Sequence, residues 1–208
     1  MNLLKRSNPR SLGRNAIFAC TLLALVAVYL AEPACAADHT SLDQFEAHIG
    51  YMLRVTARLA FAAFLIAYIA RPWFQLTGKG RKLMSLRRYF GLSMAFTHTV
   101  HFGYVVALVV TFPEERDPAT LIGGGFVYLV IWAMALTSTN AAQRKLKRWW
   151  HRLHSFGMHL LWLVFVTSFG STALANGEDL YAWLSAAALV AFGLRLASAL
   201  NQRLSRTA

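Results

Sequence analysis

The chain carries six apolar runs of roughly bilayer length: Asn15–Leu30, Tyr51–Ala70, Tyr89–Thr111, Leu121–Thr137, Trp150–Ser171 and Leu180–Leu200. A spanning helix needs about 20 predominantly apolar residues, because about 30 Å of hydrocarbon is crossed at about 1.5 Å per residue. The first and fourth runs are short for this and the others are comfortable. The pattern predicts an all-α, polytopic membrane helix bundle with six transmembrane helices. Composition agrees. Only 14% of the 208 residues are charged and 57% are hydrophobic, whereas soluble domains carry about 25% charged residues. So few charges cannot coat a water-facing surface, which argues against a soluble globular domain. An acidic disordered chain and a disulfide scaffold are excluded too.

The formal net charge of +12 points to nucleic acid only until the charges are placed. Lys5, Arg6, Arg10 and Arg14 precede the first run. Arg71, Lys79, Arg81, Lys82, Arg87 and Arg88 lie between the second and third. Arg144, Lys145, Lys147, Arg148 and Arg152 open the fifth, and Arg203 and Arg206 follow the sixth. In an alternating topology all of these share one side. The nine acids, Glu32, Asp38, Asp43, Glu46, Glu114, Glu115, Asp117, Glu178 and Asp179, share the other. Cationic loops stay in the cytoplasm. The expectation is a bacterial inner (cytoplasmic) membrane protein with both termini cytoplasmic and acidic loops outside. A nucleic-acid surface would not interleave basic clusters with bilayer-length apolar runs, so the partner is the lipid bilayer and no nucleic acid is expected.

The first run has two readings. A basic n-region, an apolar core from Ala16 to Leu30 and Ala34-Cys35-Ala36 before Ala37 resemble a cleavable signal peptide. The other reading is a retained first helix. Cleavage leaves five spanning helices with unchanged topology. The two cysteines, Cys20 and Cys35, have no Cys-x-x-Cys spacing, so iron–sulfur and structural zinc sites are unsupported. There is no repeat and no low-complexity stretch. The longest irregular piece, about Glu32 to Gly50, is too short for a domain. Residues 1–208 therefore read as one membrane domain.

Histidine is costly inside hydrocarbon, which makes intramembrane histidines functional candidates. His39 and His48 fall in an outer loop and read as solvated or interfacial. His151 sits beside Trp149, Trp150 and Arg152 and reads as part of an interfacial anchor. The remaining four lie within runs. His98 and His101 are three apart, on one face of the third helix. His154 and His159 are in the fifth, about 140° apart around its axis. Histidines from two facing helices in a dry interior can ligate a haem or a metal. Neutral imidazole suits both axial positions of haem iron. The plainer reading is hydrogen-bonding glue between helices. Zinc is less suited, because no carboxylate lies in these helices.

At these residues the chain resembles the ferric reductase-like transmembrane family. Arg87-Arg88-Tyr89-Phe90-Gly91-Leu92, continuing to His101, resembles the family's Arg-Arg-x-x-Gly-Leu…His opening of the third helix. Leu136-Thr137-Ser138-Thr139-Asn140, then Arg144-Lys145-Leu146, Trp150 and Leu153-His154, resembles its stretch before the fifth helix. Within the family the chain is similar to the MsrQ-like subgroup, small bacterial haem-binding subunits that serve a periplasmic methionine sulfoxide reductase. Thr56-Ala57-Arg58-Leu59-Ala60-Phe61 loosely matches that subgroup's second-helix motif. The resemblance covers about Val55 to Leu174, within a haem-binding core spanning residues 51–174. It implies a six-helix bundle holding haem b between the third and fifth helices, with His101 and His154 as the axial pair. Two-haem members carry a second histidine 13 or 14 residues further along each helix. Glu114 and Glu115, and Thr167 and Ser168, stand there instead. One haem is expected.

The spacing alone leaves the pairing open. His101 is 13 residues past Arg88, about 20 Å along a helix, and His154 is 6 past Arg148, about 9 Å. His98 and His159 are better level, about 15 and 16 Å from the same references. A third helix that begins before its apolar run would remove the mismatch. Haem also brings two propionates that need cations. Arg58, sharing a helix face with Arg54 and lying about 12 Å below the outer surface, is the leading candidate. Arg88, Lys147 and Arg152 are inner-side alternatives. Gly123-Gly124-Gly125 lies in an apolar run and reads as a place of close helix packing.

No Gly-x-Gly-x-x-Gly follows a strand in these residues, and the expectation is a chain without a flavin or nicotinamide domain of its own. Electrons are then expected from a separate cytoplasmic flavin reductase, from quinol, or from bound FMN. The chain reads as the haem subunit of a transmembrane oxidoreductase, passing electrons to an outer acceptor, by resemblance a periplasmic methionine sulfoxide reductase. The competing readings are a ferric-chelate reductase-like protein and a haem-free interaction or transport protein. No inverted repeat supports transport.

Overall fold

In a computed structural model the residues described are 9–32, 42–113 and 117–207. They form helices and no strand. We number the seven helices in chain order: α1 Pro9–Leu30, α2 Leu42–Thr77, α3 Arg81–Thr111, α4 Pro118–Leu136, α5 Asn140–Leu146, α6 Arg148–Asn176 and α7 Asp179–Thr207. All except the short α5 are long and apolar enough to cross a membrane. The expected all-α membrane architecture with six spans is what is found.

The helices outrun the apolar runs, for local reasons. α2 starts at Leu42 with Asp43 in its first turn, where a carboxylate complements the helix dipole. α3 starts at Arg81, eight residues before its apolar run, so the third helix does begin early. α4 opens with Asp117 as N-cap, its carboxylate accepting from Thr120 N–H, and Pro118 behind it, a position that needs no donor. α6 ends at Gly177 with φ +67°, a left-handed closure that glycine adopts without strain. The α2–α3 turn uses Gly78 and Gly80, both at positive φ. Pro72 lies inside α2. The proposed cleavage site at Ala34–Ala36 and residues His39, Glu114 and Glu115 lie outside the described residues.

The chain divides into two compact units. The first comprises the described residues of Met1–Ala63 and Ser85–Arg116. Here α1 is tied to its neighbours along its length. The Thr21 hydroxyl donates to Ile17 carbonyl and shares a hydrogen bond with Ser93. Phe18 meets Tyr89 edge to face, and the Tyr51 hydroxyl donates to Val28 carbonyl at 2.9 Å. The core includes Leu25, Ile49, Met52, Ala60, Phe61 and Met94.

The second unit comprises Phe64–Met84 and Asp117–Ala208. α6 is its centre and packs on α7, α4 and α5. Phe64 links Tyr68 to Phe165, and Phe165 continues through Phe169 to Tyr181, with successive ring centroids 5.2–5.8 Å apart. The Trp162 indole donates to Ala188 carbonyl at 2.8 Å, pinning α6 to α7. α4 meets α6 at Gly157, where a Cβ would fall 2.0 Å from Met134 Sδ. The expectation of close packing at Gly123–Gly125 is corrected here: nothing lies within 4 Å of a Cβ at any of the three. An apolar glycine run has no means of marking which side of its helix is covered. Gly157 carries the close approach instead.

Many large apolar side chains face outward, among them Leu23, Val110, Ile122, Leu129, Leu174 and Trp183. In water such a surface would drive association. In lipid it is the ordinary outside of a spanning helix.

Candidate haem-ligand histidines

In the first unit, His98 and His101 leave α3 on one face with their rings stacked, centroids 5.1 Å apart and planes 20° apart. His98 is buried. His101 meets α2 through its Nδ1, which lies 2.9 Å from Thr56 Oγ1. Thr56 is completely buried, and its hydroxyl already donates to the Met52 carbonyl one turn back. A hydroxyl has one proton to give. The Thr56 oxygen is therefore the acceptor and His101 Nδ1–H the donor. This fixes the tautomer, and Nε2 carries the lone pair.

In the second unit the stretch between α4 and α6 closes around His154. Trp150 Nε1–H donates to the Thr137 carbonyl at the end of α4, at 2.9 Å. The His154 ring stacks on Trp150, centroids 4.0 Å apart. Its Nδ1 lies 3.1 Å from the Trp150 carbonyl, which can only accept. Nε2 is again the lone-pair nitrogen, 3.5 Å from Ser138 Oγ. The Ser138 proton goes to the Met134 carbonyl at 2.7 Å. Thr139 caps α5 through Ala142 N–H. Lys147, at φ +48° and ψ −116°, breaks α5 from α6, so that Trp150 and His154 fall one turn apart on α6. The spacing of Thr137, Ser138, Trp150 and His154 is thus the spacing of one hydrogen-bonded cluster.

His159 is exposed, with Nδ1 donating to the Ser155 carbonyl at 2.7 Å and its ring edge-on to Tyr68. Thr167 Oγ1 is hydrogen-bonded to backbone carbonyls of its own helix and offers no ligand. Arg58 is half-buried on α2. Two residues from Thr56, it lies about 160° around the helix from the side that holds His101. Arg54 is exposed.

Three features were not read from the sequence. His48 is buried, and its Nδ1–H donates to Glu32 just beyond α1. Tyr29 and Tyr104 pack edge-on against its ring. His48 is therefore a paired core residue of the first unit, not a solvated loop histidine, because α2 begins before it. Arg195 lies inside the apolar run of α7, over the ring of buried Tyr68. Its position alone marks it, since an arginine inside an apolar run is rare. Gly157 is the third.

Two nitrogens with oriented lone pairs, each fixed by a hydrogen bond on the other side of its ring, match what haem iron asks of axial histidines. Among the described residues no cluster of three His, Cys, Asp or Glu forms a metal site. A haem needs only two protein ligands.

The chain is similar to curated bacterial proteins. One is the protein-methionine-sulfoxide reductase heme-binding subunit MsrQ of Xanthomonas axonopodis pv. citri (strain 306), 31% identical over 123 residues, covering 52% of this chain and 56% of that protein. Another is the MsrQ of Cronobacter sakazakii (strain ATCC BAA-894), 32% identical over 130 residues, covering 54% and 64%. The match spans 56–64% of the length of these relatives. No family model and no solved structure matches it. The resemblance to MsrQ-like subunits read from the motifs is thereby borne out.

Proposed function

We propose that this chain is a haem b membrane subunit of a methionine sulfoxide reductase system, ferric reductase-like in design, with His101 and His154 as the axial ligands of one haem. The observation that carries the reading is the pair of fixed tautomers: Thr56 and the Trp150 carbonyl each hold Nδ1–H and present Nε2. The MsrQ relatives, described as heme-binding, support it. When bound, the haem supplies one-electron chemistry without proton transfer at the iron.

The chain's own residues do the rest. Thr56 and Trp150 orient the two imidazoles and keep their Nδ1 protons engaged. The Trp150 ring covers one face of His154 and excludes water from it. The basic loops support a reading with the Arg87–Arg88 end and both termini in the cytoplasm of a bacterial inner membrane and the acidic loops facing the periplasm. Electrons then run from a cytoplasmic flavin reductase, a quinol or bound FMN toward a periplasmic methionine sulfoxide reductase. The test is reconstitution. The purified, reduced protein is mixed with a purified periplasmic methionine sulfoxide reductase and its haem absorbance followed. Prompt reoxidation supports the reading, and an unchanged reduced spectrum overturns it.

A further inference from the structure

Arg195 is a cation without a carboxylate in the second unit. The acids described there are Asp117, Glu178 and Asp179, all at the opening ends of α4 and α7. Arg195 follows Asp179 by 16 residues, about 24 Å along α7, far beyond the reach of an ion pair. Arg71, at the end of the α2 apolar run, is a like charge that repels it. An arginine placed this way in hydrocarbon needs an anion.

The neighbours are donors. Arg195 Cζ sits 4.6 Å from the centroid of the Tyr68 ring. The Tyr68 hydroxyl is buried and lies against the same guanidinium, which can donate to its oxygen; no acceptor for its own proton is found among the described residues. Ser198 Oγ–H donates to Gln75 Oε1 at 2.8 Å. That bond uses the acceptor of the amide and leaves its NH₂ to donate. Two guanidiniums, an amide NH₂ and a phenol hydroxyl thus gather between the closing halves of α2 and α7. His159, edge-on to Tyr68, has its Nδ1–H turned to Ser155 and brings no charge of opposite sign.

Depth identifies the anion. Arg71 directly follows the apolar run ending at Ala70, and Tyr68 is one turn inside it. Arg195 lies five residues before Leu200, about 7.5 Å inside the end of its own run. This is the level at which lipid phosphates meet hydrocarbon, within the reach of a long arginine side chain. Arg71 is exposed, so the patch opens to the surrounding lipid. We propose that Arg71, Gln75, Arg195 and Tyr68 bind the phosphate of an anionic phospholipid in the leaflet at the basic end of the helices. The proposal does not depend on the haem.

The test is thermal unfolding of the full chain in detergent, with phosphatidylglycerol or phosphatidylcholine added. At ten times the Kd, phosphatidylglycerol should raise Tm by about 4 °C, and phosphatidylcholine should not. Arg71→Met with Arg195→Met should abolish the difference while leaving Tm in phosphatidylcholine near its former value. Tyr68→Phe should reduce it, and Arg195→Lys should retain part of it. Should the double variant fail to fold, Arg71→Met alone, at an exposed position, should still shrink the difference. An undiminished preference for phosphatidylglycerol in the variants overturns the proposal. So does an equal rise with inorganic phosphate, which would mean a soluble anion. Loss of haem absorbance in Arg195→Met with the lipid preference intact also overturns it, by assigning Arg195 to the cofactor.

Discussion

Replacing Thr56 by valine removes one oxygen and little else. The two side chains share shape and β-branching, so helix propensity and packing volume are nearly unchanged. What disappears is the acceptor that His101 Nδ1–H meets at 2.9 Å in a fully buried position. A hydrogen bond contributes about 0.5–1.5 kcal/mol net, and a buried donor left unsatisfied costs about 1–3 kcal/mol. The Leu53 carbonyl also faces His101 and takes up part of the loss. The balance is about 1–2 kcal/mol, a roughly 5–30-fold weaker hold on the ligand orientation. The assay is haem transfer from the purified protein to excess apomyoglobin, followed in the Soret region. Thr56→Val should release haem about 5–30 times faster than wild type, and Thr56→Ser, which restores the oxygen, should recover most of the difference. An unchanged release rate in Thr56→Val would refute the reasoning that Thr56 fixes the His101 tautomer.

Other consequences follow from packing and backbone geometry. Gly157→Ala should lower stability by about 1–3 kcal/mol because its Cβ meets Met134; a helix interior with open space would instead gain from alanine, so the sign of the Tm shift decides. Glu32→Ala leaves the buried His48 Nδ1–H without its acceptor and should cost about 1–3 kcal/mol, read by thermal unfolding in detergent. Lys147→Gly should raise stability by about 1 kcal/mol, since φ +48° with ψ −116° strains any residue with a Cβ; an unchanged or lower Tm would argue against strain at the α5–α6 junction.

What the sequence made legible was what repeats or clusters locally. Bilayer-length runs with alternating charge gave the six spans, because length and burial of apolar residues in lipid are local properties. The Thr137–His154 stretch was legible as a motif, and the structure supplies its reason: Trp150 is tied to the Thr137 carbonyl and holds His154 Nδ1–H, while Ser138 turns its hydroxyl proton to Met134 beside the ring. The rest depended on pairings between distant residues. Thr56 and His101 are 45 positions apart, and Tyr68 and Arg195 are 127. No spacing rule connects them. His48 was misread because a segment that looks like loop is the first turns of α2, which carries it to Glu32. Gly157 was overlooked because a single glycine in a long helix gives no sign of the Met134 side chain above it.

The central claim is that His101 and His154 are the two protein ligands of one haem. The direct measurement is the visible spectrum of the detergent-purified protein after haem-replete expression, for wild type, His101→Ala and His154→Ala, with haem counted per chain. The account predicts a low-spin Soret spectrum at one haem per chain in wild type, and its loss in each variant. Absence of a Soret band in wild type, or stoichiometric haem retained in either variant, would contradict it.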